Sequence, residues 1–201
     1  MIYFANASSP LVRAEMMRNA RLGQIVTPAE RRRPIGTAWV ADNSVFGGKY
    51  PGNRRYVSWL AGMPHGSRCV FAVAPDVVGD HEATLHRSLP MLATLRAVAG
   101  SVAFVAQNGA TPSWVPWPEF DVLFLGGSTE WKLGADARAM VTAARRQGKW
   151  VHMGRVNSSK RFAYAAAIGC HSADGTFLAR GPDVNLPRVL SWFNATPLAF
   201  L

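Results

Sequence analysis

Residues 69–108 read CVFAVAPDVVGDHEATLHRSLPMLATLRAVAGSVAFVAQN, and this stretch decides the fold class. It opens and closes on short apolar runs, CVFAVA ending at Ala74 and VAFVA ending at Ala106, with room for a helix between them. A short apolar run without polar alternation marks a strand buried on both faces, as in a parallel sheet covered by helices. The intervening helix is expected over residues 82–98, with Asp80 as its N-cap and Glu82 in its first turn, where the helix dipole favours a carboxylate. The stretch is one strand-helix-strand unit.

The same alternation continues in both directions. Further apolar runs are IYFA after Met1, TAWVA ending at Ala41, VLFL ending at Leu125, WVHM ending at Met153, and a weaker segment over residues 170–173. Helices are expected over residues 11–22, 53–61, 132–147, 158–167 and 186–194. Strands alternating with helices imply a parallel sheet. Seven such units in 201 residues approach a (β/α)8 barrel at the lower limit of its length, about 200 residues. The expected fold is therefore α/β, a compact or incomplete TIM-like barrel in one domain, with either an unrecognised eighth strand or an open seam. A flavodoxin-like or Rossmann-like sheet is the alternative, weakened because no Gly-x-Gly-x-x-Gly follows the first strand.

Composition narrows the function. Twenty-two Lys and Arg face 12 Asp and Glu, giving a net charge of +10 and a pI near 10.6, a balance that favours polyanionic partners. No segment approaches the roughly 20 apolar residues of a membrane span, and MIYFANASSP does not read as a secretion signal, so a cytoplasmic protein is expected. The two cysteines, Cys69 and Cys170, and five dispersed histidines offer no metal-ligand spacing, so no metal or other cofactor is expected. His81 and His86 read as solvent-facing. Trp114 and Trp117, in a Pro-rich stretch, read as loop packing.

Chemistry in parallel α/β folds gathers at the carboxyl ends of the strands. There the sequence places Asp42-Asn43, Pro75-Asp76, Gln107-Asn108, Gly126-Gly127, Met153-Gly154 and Asp174-Gly175. Asp and Asn after strands are often only turn formers, but three carboxylates converging on one rim repel one another, which is tolerated mainly where a ligand or a reaction needs them. Two carboxylates in one pocket can divide the work of displacement at a sugar anomeric carbon, one ionised as nucleophile and one as acid/base. Gln107 suits the edge of a planar base, and Gly126-Gly127 lets backbone approach a ligand.

From Trp39 to Phe177 this ordered set resembles the tRNA-guanine transglycosylases and their minimal phage and bacterial relatives that insert 7-deazaguanines into DNA. Asp42-Asn43-Ser44-Val45-Phe46-Gly47 is similar to the family's Asp-Ser-Gly-Gly-Phe-Gln, keeping the Asp and the aromatic four positions later but departing at Asn43, Ser44, Val45 and Gly47. The resemblance implies Asp174 as nucleophile and Asp42 as the acid/base that handles the proton of the incoming base. It implies Asp76 and Gln107 reading the base edge, with Asn43 beside them, and Gly126 and Gly127 as a backbone contact. It further implies Phe46 on one face of the base, and Met153 of Met153-Gly154 on the other. The zinc ligands of the tRNA enzymes, three closely spaced Cys and a His, are absent, which points toward the DNA-modifying relatives.

The implied reaction exchanges guanine in DNA for a 7-deazaguanine such as preQ0. A flipped target base needs its flanking phosphates gripped, for which Arg31, Arg32, Arg33, Arg54, Arg55, Lys160 and Arg161 are the candidates. Expected partners are DNA, or tRNA as the alternative, the free deazaguanine base, and a homo-oligomer or accessory protein. The competing functions are base exchange on tRNA, base excision, and a DNA-binding module without catalysis. Glu130, after the glycine pair, is a secondary candidate.

Overall fold

The structure is a computed structural model that describes residues 1–30, 33–64 and 69–195. Eight parallel strands close into a barrel in chain order: β1 (Ile2–Ala5), β2 (Leu22–Val26), β3 (Trp39–Ala41), β4 (Cys69–Val73), β5 (Val102–Ala106), β6 (Val122–Leu125), β7 (Trp150–Met153) and β8 (Ser172–Asp174). The outer layer holds α1 (Pro10–Arg18), α2 (Asn53–Ala61), α3 (His81–Ala99), α4 (Thr129–Leu133), α5 (Ala135–Arg146), α6 (Ser159–Ala167) and α7 (Pro182–Ala195). The fold is a complete TIM barrel, because β8 pairs with β1 through Ile2↔Ser172 and Phe4↔Asp174 and leaves no open seam.

The strand that sequence periodicity missed is β2. Its start was absorbed into the helix expected over residues 11–22, whereas α1 stops at Arg18, where the Asn19 amide donates to Glu15 O and the Asn19 side chain turns back to accept from the Arg21 amide. Gly23 and Gln24 then interrupt the apolar run that would have marked the strand. The helix expected over 132–147 is divided into α4 and α5 at Gly134, whose extended backbone (ψ 178°) breaks the helical path. His81 also departs from expectation: it is buried, its ring edge-on to Phe104 and its Nε2 3.4 Å from Trp114 O. As the first residue of α3 it faces the barrel, covered by the loop before β6. His86 is exposed as expected, and Trp117 packs on Phe120 within its loop.

Strand side chains alternate between two cores. Phe4, Val40, Phe71, Val73, Ala103, Val105 and Val122 fill the barrel interior, whereas Tyr3, Trp39, Phe104, Leu123, Leu125, Val151 and Met153 face the helices. Gly23 belongs to the interior: a Cβ there would overlap the buried Phe4 ring and stand 2.9 Å from Ala38 O. Gly23→Ala is therefore expected to cost about 2 kcal/mol by overpacking, read as a lower urea midpoint with unchanged m value.

Candidate active site

The interior core stops below the carboxyl ends of the strands, leaving a cavity of about 340 Å³ lined by Asp42, Asn43, Ser44, Phe46, Asp76, Gln107, Phe124, Gly126, Gly154, Arg155 and Asp174, among others. Alternation decides most of this membership. Val40, Val105, Phe124, His152 and Ser172 occupy inward positions, so the residues two places later, Asp42, Gln107, Gly126, Gly154 and Asp174, also turn inward at the rim. Met153 and Gly127 fall on the opposite parity. Met153 is buried in the layer between barrel and helices, and Gly127 packs against Trp131 and Asn108. The structure does not bring either to the cavity.

Asp174 is held at both carboxylate oxygens. Its Oδ2 lies 2.8 Å from His152 Nε2 and its Oδ1 accepts from the Arg155 amide at 3.0 Å. His152 is fully buried within the barrel, its ring 4.5 Å from that of Phe124 and 5.2 Å from that of Phe71. Its Nδ1 lies 2.8 Å from Ser172 Oγ, which also accepts from the Trp150 indole N–H at 2.8 Å. The indole can only donate, so the Ser172 hydroxyl proton is free to point at His152 Nδ1, leaving the Nε2 proton for Asp174. A chain of four residues thus ends on one carboxylate oxygen.

Asp42 sits in a different environment. Its Oδ1 accepts from the Ser44 amide at 2.7 Å, and its pKa is pushed up to about 7, chiefly by removal from water and further by the negative charges of Asp174 and Asp76, against the opposing Ser44 hydrogen bond. Asp42 keeps some exposure to the cavity itself, but the surrounding rim screens it from bulk solvent. Asp76 is held by Asn43 Nδ2 at 2.9 Å and Gln107 Nε2 at 2.6 Å; burial raises its pKa despite both bonds. Gln107 in turn accepts from the Gly79 amide, so it orients Asp76 while keeping one amide hydrogen to offer.

The glycines serve close approach. A Cβ on Gly126 would meet Val105 and Gln107, and one on Gly154 would meet the Phe124 ring. The Gly126 and Gly127 amides bond to Ala106 O, and their carbonyls accept from the Arg155 guanidinium, so both backbone edges are already engaged. Arg155 also lies over the exposed Phe46 ring, 4.5 Å from its centroid, closing one side of the mouth. Among the described residues, the two non-glycine residues with left-handed backbone, Ser44 (φ 63°) and Arg155 (φ 61°), both line this cavity. Such strain costs on the order of 1–3 kcal/mol per residue and concentrates at working sites. Ser44 Oγ is buried at the cavity without a hydrogen-bond partner among the described residues, a polar atom available to a ligand.

The basic candidates are dispersed. Arg33 is exposed and bonds to Gly62 O, Arg54 and Arg55 are exposed on α2, Lys160 is exposed and Arg161 half-buried at the start of α6, while Arg31 and Arg32 lie outside the described residues. Glu130 is exposed on α4 and does not line the cavity. His152, Arg155 and Ser44, and Glu30, which also lines the cavity, were not foreseen as cavity or support residues. Among the described residues no three His, Cys, Asp or Glu side chains are grouped to hold a metal ion, and no described helix is long and apolar enough to cross a membrane.

No family model and no curated protein matches the sequence. Among solved structures, a ligand-free mutant form of tryptophan synthase from M. tuberculosis is similar, with a TM-score of 0.56 and 13% identity over 96% of this chain and 90% of that one. That likeness shows the TIM-barrel architecture.

The raised pKa of Asp42 carries a stability consequence. Its proton is held up to about pH 7 in the folded state but lost near 4 when unfolded, so its ionisation opposes folding. The associated stability is full below about pH 4, declines as pH rises to about 7, and is flat beyond. Asp42→Asn is expected to raise stability by about 2–4 kcal/mol at pH 8 and to change it little at pH 4, as measured by denaturant unfolding at both pH values.

Proposed function

We propose that the protein is a pentosyltransferase that exchanges guanine in DNA for a 7-deazaguanine such as preQ0, through a covalent bond between Asp174 and C1′ of the nucleotide. The observation that carries this reading is the unequal treatment of two carboxylates in one cavity. Asp174 is oriented by two N–H donors, whereas burial makes Asp42 a proton carrier poised near neutrality.

In the first half-reaction a carboxylate oxygen of Asp174 attacks C1′. The C1′–N9 bond breaks with its electron pair going to guanine, and Asp42 supplies the proton. In the second, the Asp42 carboxylate takes the N9 proton of the incoming base, whose nitrogen attacks C1′ and releases Asp174. Asp76, Gln107 and Asn43 form the polar edge that a purine-like base would meet, and Phe46 offers it a face. Met153 cannot supply the second face from the outer layer, which leaves Val105 and Phe124 of the cavity wall. His152 Nε2–H holds Asp174 Oδ2 during attack and stabilises the same carboxylate as it leaves. The charge of +10 suits a nucleic acid partner, and the absence of the family's zinc ligands favours DNA over tRNA in a cytoplasmic setting.

The direct assay incubates the protein with guanine-containing duplex DNA and preQ0, with tRNA in parallel, followed by nuclease digestion and mass spectrometry of the nucleosides. Deazaguanine is expected in the DNA digest and absent with Asp174→Ala; exchange retained by that variant overturns the nucleophile assignment. Free guanine without incorporation identifies base excision. Salt-sensitive DNA binding with neither product, in wild type and variant alike, identifies a binding module.

Asp42 gives the half-reactions opposite pH dependences. Formation of the covalent intermediate, which needs the neutral acid, should fall as pH rises through about 7, and its discharge by preQ0, which needs the carboxylate, should fall as pH drops through it. Single-turnover rates from pH 5.5 to about 8.5 resolve the two limbs. His152→Phe, which fits the aromatic interior but removes the donor to Asp174, should slow intermediate formation by about 100-fold with unchanged DNA affinity.

A further inference from the structure

Lys132 poses an electrostatic problem that the cavity chemistry leaves unused. Only 4% of the residue is exposed, its Nζ donates to Gly154 O, and it forms no ion pair among the described residues. Buried charges are ordinarily paired, because desolvating an ammonium costs more than one carbonyl contact returns. Around Lys132 the opposite holds: Arg155, from the loop after β7, and Arg161, from the first turn of α6, border the same crevice. The Arg161 guanidinium makes no hydrogen bond or ion pair among the described residues. That of Arg155 donates to the carbonyls of Gly126 and Gly127 and lies over the face of Phe46, and it forms no ion pair among the described residues. The α6 N-terminus, capped by Ser158, adds partial positive charge beside them.

We infer that this side of the rim is a phosphate-binding subsite, in which Lys132, Arg155 and Arg161 together receive one phosphate group. The crevice holds only about 10 Å³, so the anion seats at its mouth, where the two half-buried arginine side chains reach it over the Lys132 ammonium. Basic side chains beside a helix N-terminus make a favourable seat for an anion, because backbone N–H groups and the helix dipole add to their charge. The subsite also adjoins the reacting centre, since the Arg155 amide donates to Asp174 Oδ1. Assigning the group to the backbone of the reacting nucleotide rests on the base-exchange reading; the anion site itself does not.

The charged groups acting on Lys132 are Arg155, Arg161 and Asp174. Burial and then Arg155 push its pKa down to about 7, with Arg161 adding and Asp174 opposing. An arriving dianion reverses the balance, so binding at pH 7 should draw a proton onto the amine.

Sulfate is the probe, a tetrahedral dianion that does not itself titrate near neutrality, and calorimetry in two buffers of different ionisation enthalpy reads affinity and proton uptake together. Wild type is expected to bind sulfate with proton uptake. Arg161→Ala should bind about tenfold more weakly with uptake retained, and Lys132→Met at least about tenfold more weakly with no uptake. Lys132→Met should also keep or raise its melting temperature in anion-free buffer, which separates lost binding from lost folding. Equal sulfate affinity in the three proteins overturns the subsite. A second arm measures single-stranded DNA binding against salt: a slope reduced by about one in Arg161→Ala assigns the phosphate to a nucleic acid backbone. An unchanged slope with sulfate binding lost keeps the subsite but overturns the backbone assignment in favour of a free phosphate group. Sulfate binding that follows this pattern in a protein that exchanges no base would retire the exchange reading and leave the subsite standing.

Discussion

Closure of the sheet onto itself governs everything else in this molecule. Once β1 is bonded to β8, every strand residue must point either into a dry interior or out toward the helices, with nothing intermediate. The interior tolerates polar groups only when they are satisfied. His152 illustrates the consequence: enclosed by aromatic rings, it keeps both ring nitrogens occupied by reaching sideways to Ser172 and upward to Asp174. One oxygen of the rim carboxylate is thereby tied to the packing of the barrel itself, while the other is held by the Arg155 amide from the loop after β7.

Electrostatics at the rim work against the rest of the surface. A strongly cationic chain concentrates Asp42, Asp76 and Asp174 around one cavity and screens them from water, yet gives each a different set of partners. Asp76 is held by two side-chain amides and Asp174 by a ring N–H and a backbone N–H. Asp42 accepts one backbone bond, and burial pushes its pKa up to about 7. Three identical side chains are thus set in three different environments by their neighbours alone.

Much of this was legible in the sequence. The apolar runs predicted seven of eight strands, and the residues following them supplied most of the cavity wall. What escaped has identifiable physical causes. Gly23 broke the apolar signature of β2 because the interior there must leave room for Phe4, and Gln24 did so because its side-chain amide holds the Arg33 carbonyl and the Ile35 amide. His152 hid inside WVHM, a run that reads as an ordinary buried strand; its inward parity, two residues before Gly154, was the available clue. The same parity separates Gly154 from Met153, and Gly126 from Gly127, a distinction that motif similarity overlooks. Arg155 and Lys132 carried no spacing signal, since their proximity arises only when the loop after β7 and helix α4 meet across the rim.

The pairing of β1 with β8 has a last implication, for synthesis. Phe4 and Asp174 are register partners separated by nearly the whole chain, so a polypeptide emerging from the ribosome cannot complete the ring until its final strand is available. Until then the first and seventh strands present bare edges, open to mispairing with other chains. The residue that ends β8 is Asp174, the anchored carboxylate of the cavity. Structural maturation and the assembly of the cavity therefore occur in one event, and a partly made chain carries no completed cavity.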